Sequence, residues 1–275
     1  LCLINLFDFL NKGNDELAKN DVKVSNILNR EIKRQHKTIS LVASCCTVSP
    51  SILYAMSSPL VNVTAEGKPG KRYHAGCEFV DEIEQLAIDR ACEIFKAQYA
   101  GVQPHSASNA NYQVMSAILN PGDTILGMSL DDGGHLTHGS RVTFSGSYYN
   151  AVGYHVNDQG TINYNEVATL ARKYKPKLII CGATAYSQVV DFKKFREIAD
   201  SVGAILMADI SHIAGLVITG RHPSPIDYAH ITTTCTHKQL AGPRGGLILS
   251  GNDADKNVPG KNITFRKLLQ KSIFP

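Results

Sequence analysis

The stretch KLIICGATAYSQVVDFKKFREIADSVGAILMAD, residues 177–209, carries in one line the alternation on which the fold depends. Two short apolar runs, KLIICG and AILMAD, flank FKKFREIADSV, in which apolar residues recur at helical spacing. Strands with no polar alternation are buried on both faces, and a helix between two of them implies a βαβ unit in a largely parallel sheet. The same alternation continues outward. Upstream lie the run YAGVQP, the helix NANYQVMSAIL, the strand TILGM and the helix YNEVATLARKY; downstream lie the strands HITTT and GGLILS. The expected fold class is α/β, a mostly parallel sheet with helices on both faces.

Nearer the N-terminus, residues 20–36 place Val24, Leu28 and Ile32 four apart with Ile27 beside them, an amphipathic helix. DEIEQLAIDRACEIFKA puts Ile83, Ala87, Ala91 and Ile94 on one face of another. Between them, Val48 to Lys71 shows little sustained period and runs into EGKPGKRYHAGCE, where glycines and a proline enforce irregular backbone, so it reads as a long functional loop. The 275 residues suffice for one large domain with a short appendage, which we divide into an N-terminal helical arm, 1–50, and a large domain, 51–275.

Composition excludes several classes. With 28 basic and 24 acidic residues the net charge is only +4, and there is no run of like charges, so neither nucleic acid nor an anionic membrane is required as partner. No apolar run approaches the roughly 20 residues of a membrane helix. The seven cysteines, Cys2, Cys45, Cys46, Cys77, Cys92, Cys181 and Cys235, are odd in number and lack C-x-x-C spacing, which points to a reducing cytoplasm rather than a disulfide framework or zinc site. The opening LCLINLFDFL carries Asp8 and has no basic start or cleavage site, a poor secretory leader. A chain that begins without methionine and stops at KSIFP directly after a helical pattern suggests a piece of something longer.

In open α/β sheets, ligands sit at the carboxyl ends of the strands. Three candidates fall there. HSAS, residues 105–108, opens a helix, and a helix N-terminus with small hydroxyl residues suits a phosphate. Asp209 closes AILMAD, and Lys238 follows HITTT within TTTCTHKQLAGPRGG, residues 232–246. Singly these are ordinary: Ser106 or Ser108 serves as an N-cap, Asp209 as a turn residue. Together, an amine for a Schiff base, a carboxylate for a pyridine nitrogen and a phosphate cradle are the protein parts that pyridoxal 5′-phosphate needs. Two other readings compete. His135 and His138 in GGHLTHG, with Asp209 and His212 in DISH, could hold a metal; GKPGKR, residues 67–72, lacks the frame of a nucleotide-binding P-loop.

AEGKPGKRY, GCEFVDEIEQLA, VQPHSASNAN, GDTILGM, GGHLTHG, FKKFREIAD, AGLV, HPSP and THKQLAGPRGGLIL together resemble serine hydroxymethyltransferase, in the family's order and spacing, from about residue 30 to the last residue. The resemblance implies a fold-type I pyridoxal-phosphate transferase that interconverts serine and glycine, with tetrahydrofolate as co-substrate and one-carbon carrier. It implies Lys238 as the cofactor's lysine, His237 as the neighbour that shapes specificity, and Asp209 as the partner of the pyridine nitrogen. His212 falls on the side of the ring hydroxyl, His135 on the ring face, Ser106, Ala107 and Ser108 in the phosphate cradle, and Thr184 and Thr64 also in the cofactor set. Glu66 is implied as the general acid/base at the serine hydroxyl. Leu130, Gly134 and Leu136, with His135, belong to a folate-contacting loop, and Ser44, Tyr73 and His74 to the substrate set. Glu66 and Ser44 are implied to reach the site of a neighbouring subunit, hence a homodimer.

Departures are specific. Ser44-Cys45-Cys46 stands where the family has Ser-Glu-Asn, Thr64 and His74 where it has tyrosines, Ala107 for a cradle glycine, and Cys235 for threonine. Thr184 stands where serine is common, and Asp131 and Asp132 replace Ala-His, adding negative charge beside an anion site. The family continues past Phe-Pro into a glycine-rich loop and a C-terminal small domain bearing the arginine that clamps the substrate carboxylate; the chain reads as the large domain without it. The alternative function is a truncated, non-catalytic homologue that binds the cofactor or pairs with an intact subunit.

Overall fold

The structure is a computed structural model that describes residues 6–274. The first five residues of the opening stretch, with Cys2, and the terminal Pro275 lie outside the described residues. In chain order the elements are α1 (Leu6–Asn20), α2 (Val22–Lys37), α3 (Pro50–Met56), β1 (Gly67–Lys68), β2 (Lys71–Arg72), α4 (Glu78–Phe95), β3 (Tyr99–Gly101), α5 (Ala107–Ile118), β4 (Thr124–Met128), α6 (Phe144–Tyr148) and β5 (Asn150–Tyr154). There follow α7 (Tyr164–Tyr174), β6 (Leu178–Cys181), α8 (Phe192–Val202), β7 (Ile205–Asp209), α9 (Ala214–Ile218), β8 (Ile231–Cys235), β9 (Gly246–Ser250) and α10 (Phe265–Ile273).

Seven strands form one sheet in the order β3-β9-β8-β7-β6-β4-β5. The pairs from β5 through β4, β6 and β7 to β8 are parallel, whereas β9 runs antiparallel to both β8 and β3. Only β9 is therefore reversed. The cause is the link 236–245, too short for the crossover of a dozen or more residues that a parallel return needs. Because β3 keeps the common direction, its carboxyl end, with those of β7 and β8, opens on one edge.

Successive residues of the central strands feed opposite cores, as a period of two requires. Leu206 and Ala208 pack with Ala91, Phe95, Val167, Phe195 and Val217 of α4, α7, α8 and α9. Ile205 and Met207 pack with Val114, Met115, Phe265 and Leu269 of α5 and α10. Helices thus cover both faces, as the apolar runs KLIICG and AILMAD imply. The strand β5 has no signal in the sequence: Asn150, Ala151 and Gly153 are poor strand formers, and its edge position leaves most of it exposed.

Two readings are corrected. Val48–Lys71 is not one loop: Ser49 caps α3, accepting the N–H of Ile52, with Pro50 in the first turn, and a β1–β2 hairpin follows. On α4, Ile83 and Ile94 are about half exposed; the face that meets the core runs Ile88, Ala91, Cys92, Phe95, one position round from the stripe expected. The α2 stripe is real as a helix, but Val24, Ile27, Leu28 and Ile32 are all exposed in the single chain.

Candidate active site

The carboxyl edge of the sheet holds a crevice lined by Ser106, Ala107, Ser108, His135, His138, Thr184, Asp209, His212, Cys235, His237, Lys238 and Arg244, among others. Each arrives for a local reason. Ser106 accepts the N–H of Asn109 at 3.1 Å and caps α5, so its N-cap reading holds while the first turn of the helix faces the crevice. Gly246 lets this happen, since a Cβ there would run into the carbonyl of Ser106, whose neighbour Pro104 accepts the N–H of Gly246 at 2.6 Å.

Asp209 ends β7 and is 6% exposed. Its Oδ1 accepts the hydroxyl of Ser211 at 2.6 Å and that residue's N–H at 3.1 Å. Its Oδ2 accepts from Asn111 Nδ2 at 2.8 Å and His138 Nε2 at 3.1 Å. Burial alone would raise this carboxyl, but the donors from His138, Ser211 and Asn111 outweigh it and hold the group well below the ordinary carboxylate range. A buried, ionised carboxylate results.

Lys238 lies in the link 236–245, which is stitched by its own backbone: Thr236 N–H reaches Gly245 O at 3.1 Å, and Gly242 N–H reaches Thr236 O at 2.8 Å. Ala241 takes φ 50°, the left-handed region that a residue with a Cβ enters at a penalty of roughly 1 kcal/mol. The ammonium meets His212 Nε2 at 2.8 Å. Burial, then the charge of Lys238, depresses the pKa of His212, so the ring is a neutral acceptor. His237 accepts from Arg244 Nη1 at 3.2 Å through Nε2, and its own pKa falls through burial, then Arg244. Arg244 is thereby held by an imidazole rather than by a carboxylate.

His135 is pulled down to about 4 by burial, then by neighbouring His138. Its Nδ1 accepts the N–H of Thr137 at 3.1 Å, leaving the ring proton on Nε2. His138 Nδ1 accepts the N–H of His135 at 3.3 Å, so its Nε2 proton points at Asp209.

His135, His138 and Asp209 place ligand atoms within 4.8 Å of one another. Proximity is there, but the lone pairs are not. The free lone pair of His138 is already taken by the backbone of His135, and a metal at Nε2 would have to displace the proton that Asp209 accepts. The donor set suits an organic group better than a cation.

The crevice thus gathers Lys238, His237, Asp209, His212, His135, Thr184, Ser106, Ala107 and Ser108. Eight other residues singled out in the sequence do not line it. Glu66 is exposed and pairs with His74 Nε2 at 3.0 Å; Thr64 and Tyr73 are exposed nearby. Leu130 and Leu136 are exposed on the turns around His135, and Gly134 is buried there with its N–H on Ser129 O at 2.9 Å. Ser44 is exposed, yet Cys46 donates its thiol to His237 O at 2.7 Å. That contact brings the Ser44 segment to the lysine loop of the same chain. Asp131 and Asp132 do not line the crevice either, and Asp132 is bound to His155 Nδ1 at 2.6 Å.

Arg72, Asn111 and Ser211 escaped the sequence reading. The side chain of Arg72 is 4% exposed: it pairs with Asp81 at 2.7 Å and Glu84 at 2.6 Å, and Nη1 donates to the carbonyls of Ala65 and Gly67 at 3.0 Å each, on both sides of Glu66. Asn111 had a legible signal, a polar residue on the stripe Ala107, Val114, Met115, Ile118 that faces the core. The six described cysteines are free, and burial pushes the Cys235 thiol up, which leaves it inert beside the lysine. Among comparisons with known proteins, the family model described as serine hydroxymethyltransferase matches residues 17–275, and the chain belongs to that family.

Proposed function

We propose that this chain binds pyridoxal 5′-phosphate at Lys238 and uses it to interconvert serine and glycine, with tetrahydrofolate taking or returning the one-carbon unit. The family is a pyridoxal-phosphate-dependent transferase family of one-carbon metabolism. The observation that carries the reading is Asp209, an ionised carboxylate buried at a strand end in the same crevice as Lys238. Such a group is costly to bury unless a cation completes it, and a protonated pyridine nitrogen is that cation.

The crevice residues fit the cofactor. Thr184 Oγ1 and His237 Nδ1 are buried with no partner, two polar atoms waiting for a ligand. The first turn of α5, with Ser106, Ala107 and Ser108, would hold the phosphate, Lys238 the aldehyde carbon, Asp209 the ring nitrogen, and neutral His135 the ring face. When bound, the cofactor supplies an electron sink for negative charge on the α-carbon of the amino acid. The protein supplies the rest. His212 accepts a hydrogen bond from Lys238 and so orients the amine. Asp209 keeps its charge because its four donor contacts favour the ionised form. Glu66, paired with His74, is the proton-handling group at the serine hydroxyl.

Glu66, His74, Thr64 and Ser44 are exposed, and so is the apolar face of α2. Both facts support a homodimer in which Glu66 serves the partner's crevice. They equally favour the second reading, a chain that completes its site only by pairing with another subunit. The arm at 1–50 and the cofactor domain at 51–275 belong to this proposal, as does a cytoplasmic setting. Among the described residues no helix is long and apolar enough to cross a membrane.

The test is an absorbance titration of the purified chain with pyridoxal phosphate, beside Lys238→Ala. A bound-cofactor band that is absent from the variant supports the assignment, and glycine release from serine that depends on tetrahydrofolate supports the reaction. Identical spectra for both proteins would sink the lysine assignment.

A further inference from the structure

Asn111 is fully buried on α5, and both ends of its amide are hydrogen-bonded. Thr233 Oγ1 donates to Asn111 Oδ1 at 2.6 Å, and the other end of the amide faces the ionised Asp209 carboxylate, which only accepts and so fixes that end as nitrogen. The nitrogen end then has two N–H groups and two acceptors: Asp209 Oδ2 at 2.8 Å and Thr137 Oγ1 at 2.9 Å. With one lone pair so used, the Thr137 hydroxyl turns its proton to His135 Nδ1 at 2.8 Å and shares that atom's single lone pair with the N–H of Thr137 at 3.1 Å. Asp209 and Thr233 are register partners on β7 and β8, so the sheet itself presents carboxylate and hydroxyl to the same amide.

We propose that Asn111 is a positioning residue: one amide aligns both the Asp209 carboxylate and the His135 imidazole, so the two groups that meet the cofactor ring are set as a unit. The inference rests on the reading that a cofactor ring lies between them. Aspartate cannot replace Asn111, having no N–H to give; leucine fills the space but gives nothing; glutamine is one methylene too long for a slot with no spare room. Buried networks of this kind are coupled, so removal of one member is felt by every other.

The test uses Asn111→Leu and Thr233→Val in the full chain, with two readouts. Nitrogen-15 NMR of the histidine side chains, on protein without cofactor, reports the His135 tautomer. Absorbance titration with pyridoxal phosphate reports affinity. Wild type is expected to show a single Nε2–H tautomer at His135. Asn111→Leu is expected to shift the His135 Nδ1 resonance, because the Thr137 hydroxyl loses the donor that orients it and only the Thr137 N–H still holds that atom, and to raise the cofactor Kd about tenfold or more, the loss typical of a buried hydrogen bond left unmade. Thr233→Val, which keeps both Asn111 donors but leaves the amide oxygen without its partner, shifts both readouts less. The double variant is expected to be no worse than Asn111→Leu alone. A folded Asn111→Leu with unchanged His135 ring-nitrogen shifts and unchanged affinity overturns the proposal, and so do losses that simply add. If Asn111→Leu fails to fold, Thr233→Val decides, and wild-type behaviour there overturns it. Wild type that binds no cofactor would fail the functional reading alone, because the tautomer measurement needs none.

Discussion

The carboxyl edge of the sheet and the shell formed by α2, α3 and residues 39–66 handle their polar and apolar groups in opposite ways. At the sheet edge Asp209, Asn111, Thr137, His138 and Thr233 are all buried and each is satisfied by another. In the shell, Ile39 and Leu41 are nine-tenths or more exposed, and Leu28, Ile32, Leu53 and Val61 are also exposed. Half of the proposed site is complete within one chain; the other half lies on a surface with far more exposed apolar groups than a lone domain needs. The crevice is built by the sheet, whereas Glu66, His74 and Ser44 lie exposed on or beside the shell.

Four experiments press on that contrast. Asp209→Ala should have the largest effect, leaving the donors of Asn111, His138 and Ser211 unmatched in the core. A loss of roughly 4 kcal/mol in urea unfolding is expected, together with loss of cofactor binding. A stable variant would mean that the edge is less tightly coupled than its geometry says. Arg72→Ala probes a buried anchor at the border of the shell. About 3 kcal/mol should be lost, and hydrogen exchange should show residues 65–73 opening first while the sheet stays protected.

The pH dependence comes next. His230 Nδ1 accepts the N–H of Leu206 at 2.9 Å, and burial, then the charge of Arg196, pulls this imidazole from its usual 6.5 to about 4. An unfolded histidine binds its proton near 6.5, before the folded one does. Stability is therefore complete above pH 6.5 and falls as the pH drops toward 4, by roughly 3 kcal/mol in all for this group. His135 contributes with the same sign. Denaturant midpoints that stay level between about pH 7 and pH 5 would contradict this. The smallest effect on folding is expected from Leu28→Lys in α2, within about 0.5 kcal/mol in the single chain. Sedimentation should nevertheless show a dimer giving way to monomer; an unchanged dimer would place the contact elsewhere.

Much of the fold was legible because burial writes directly into composition. KLIICG and AILMAD are apolar throughout since both faces of β6 and β7 are covered, and FKKFREIADSV keeps helical spacing since only one face of α8 is. Edge elements wrote weaker signals. The strand β5 packs little, so nothing selected strand formers for it, and α3 is too short to show a period. On α4 the expected stripe was one position off because Ile83 and Ile94, apolar by type, face outward from this chain.

The site divides along similar lines. That a lysine, a carboxylate and a helix start would meet at one edge follows from their places at the ends of strands running the same way, and chain order alone is enough to say so. Partnership is another matter. That Asn111 joins Asp209 to His135, that His138 gives its proton to Asp209, or that Arg72 clasps the backbone around Glu66 depends on side chains brought together from distant parts of the chain. Residue type and spacing carry the local preferences of strand, helix and cap. Hydrogen-bond partners across a folded edge are chosen by geometry within a few ångströms, and that geometry exists only once the sheet has closed its register.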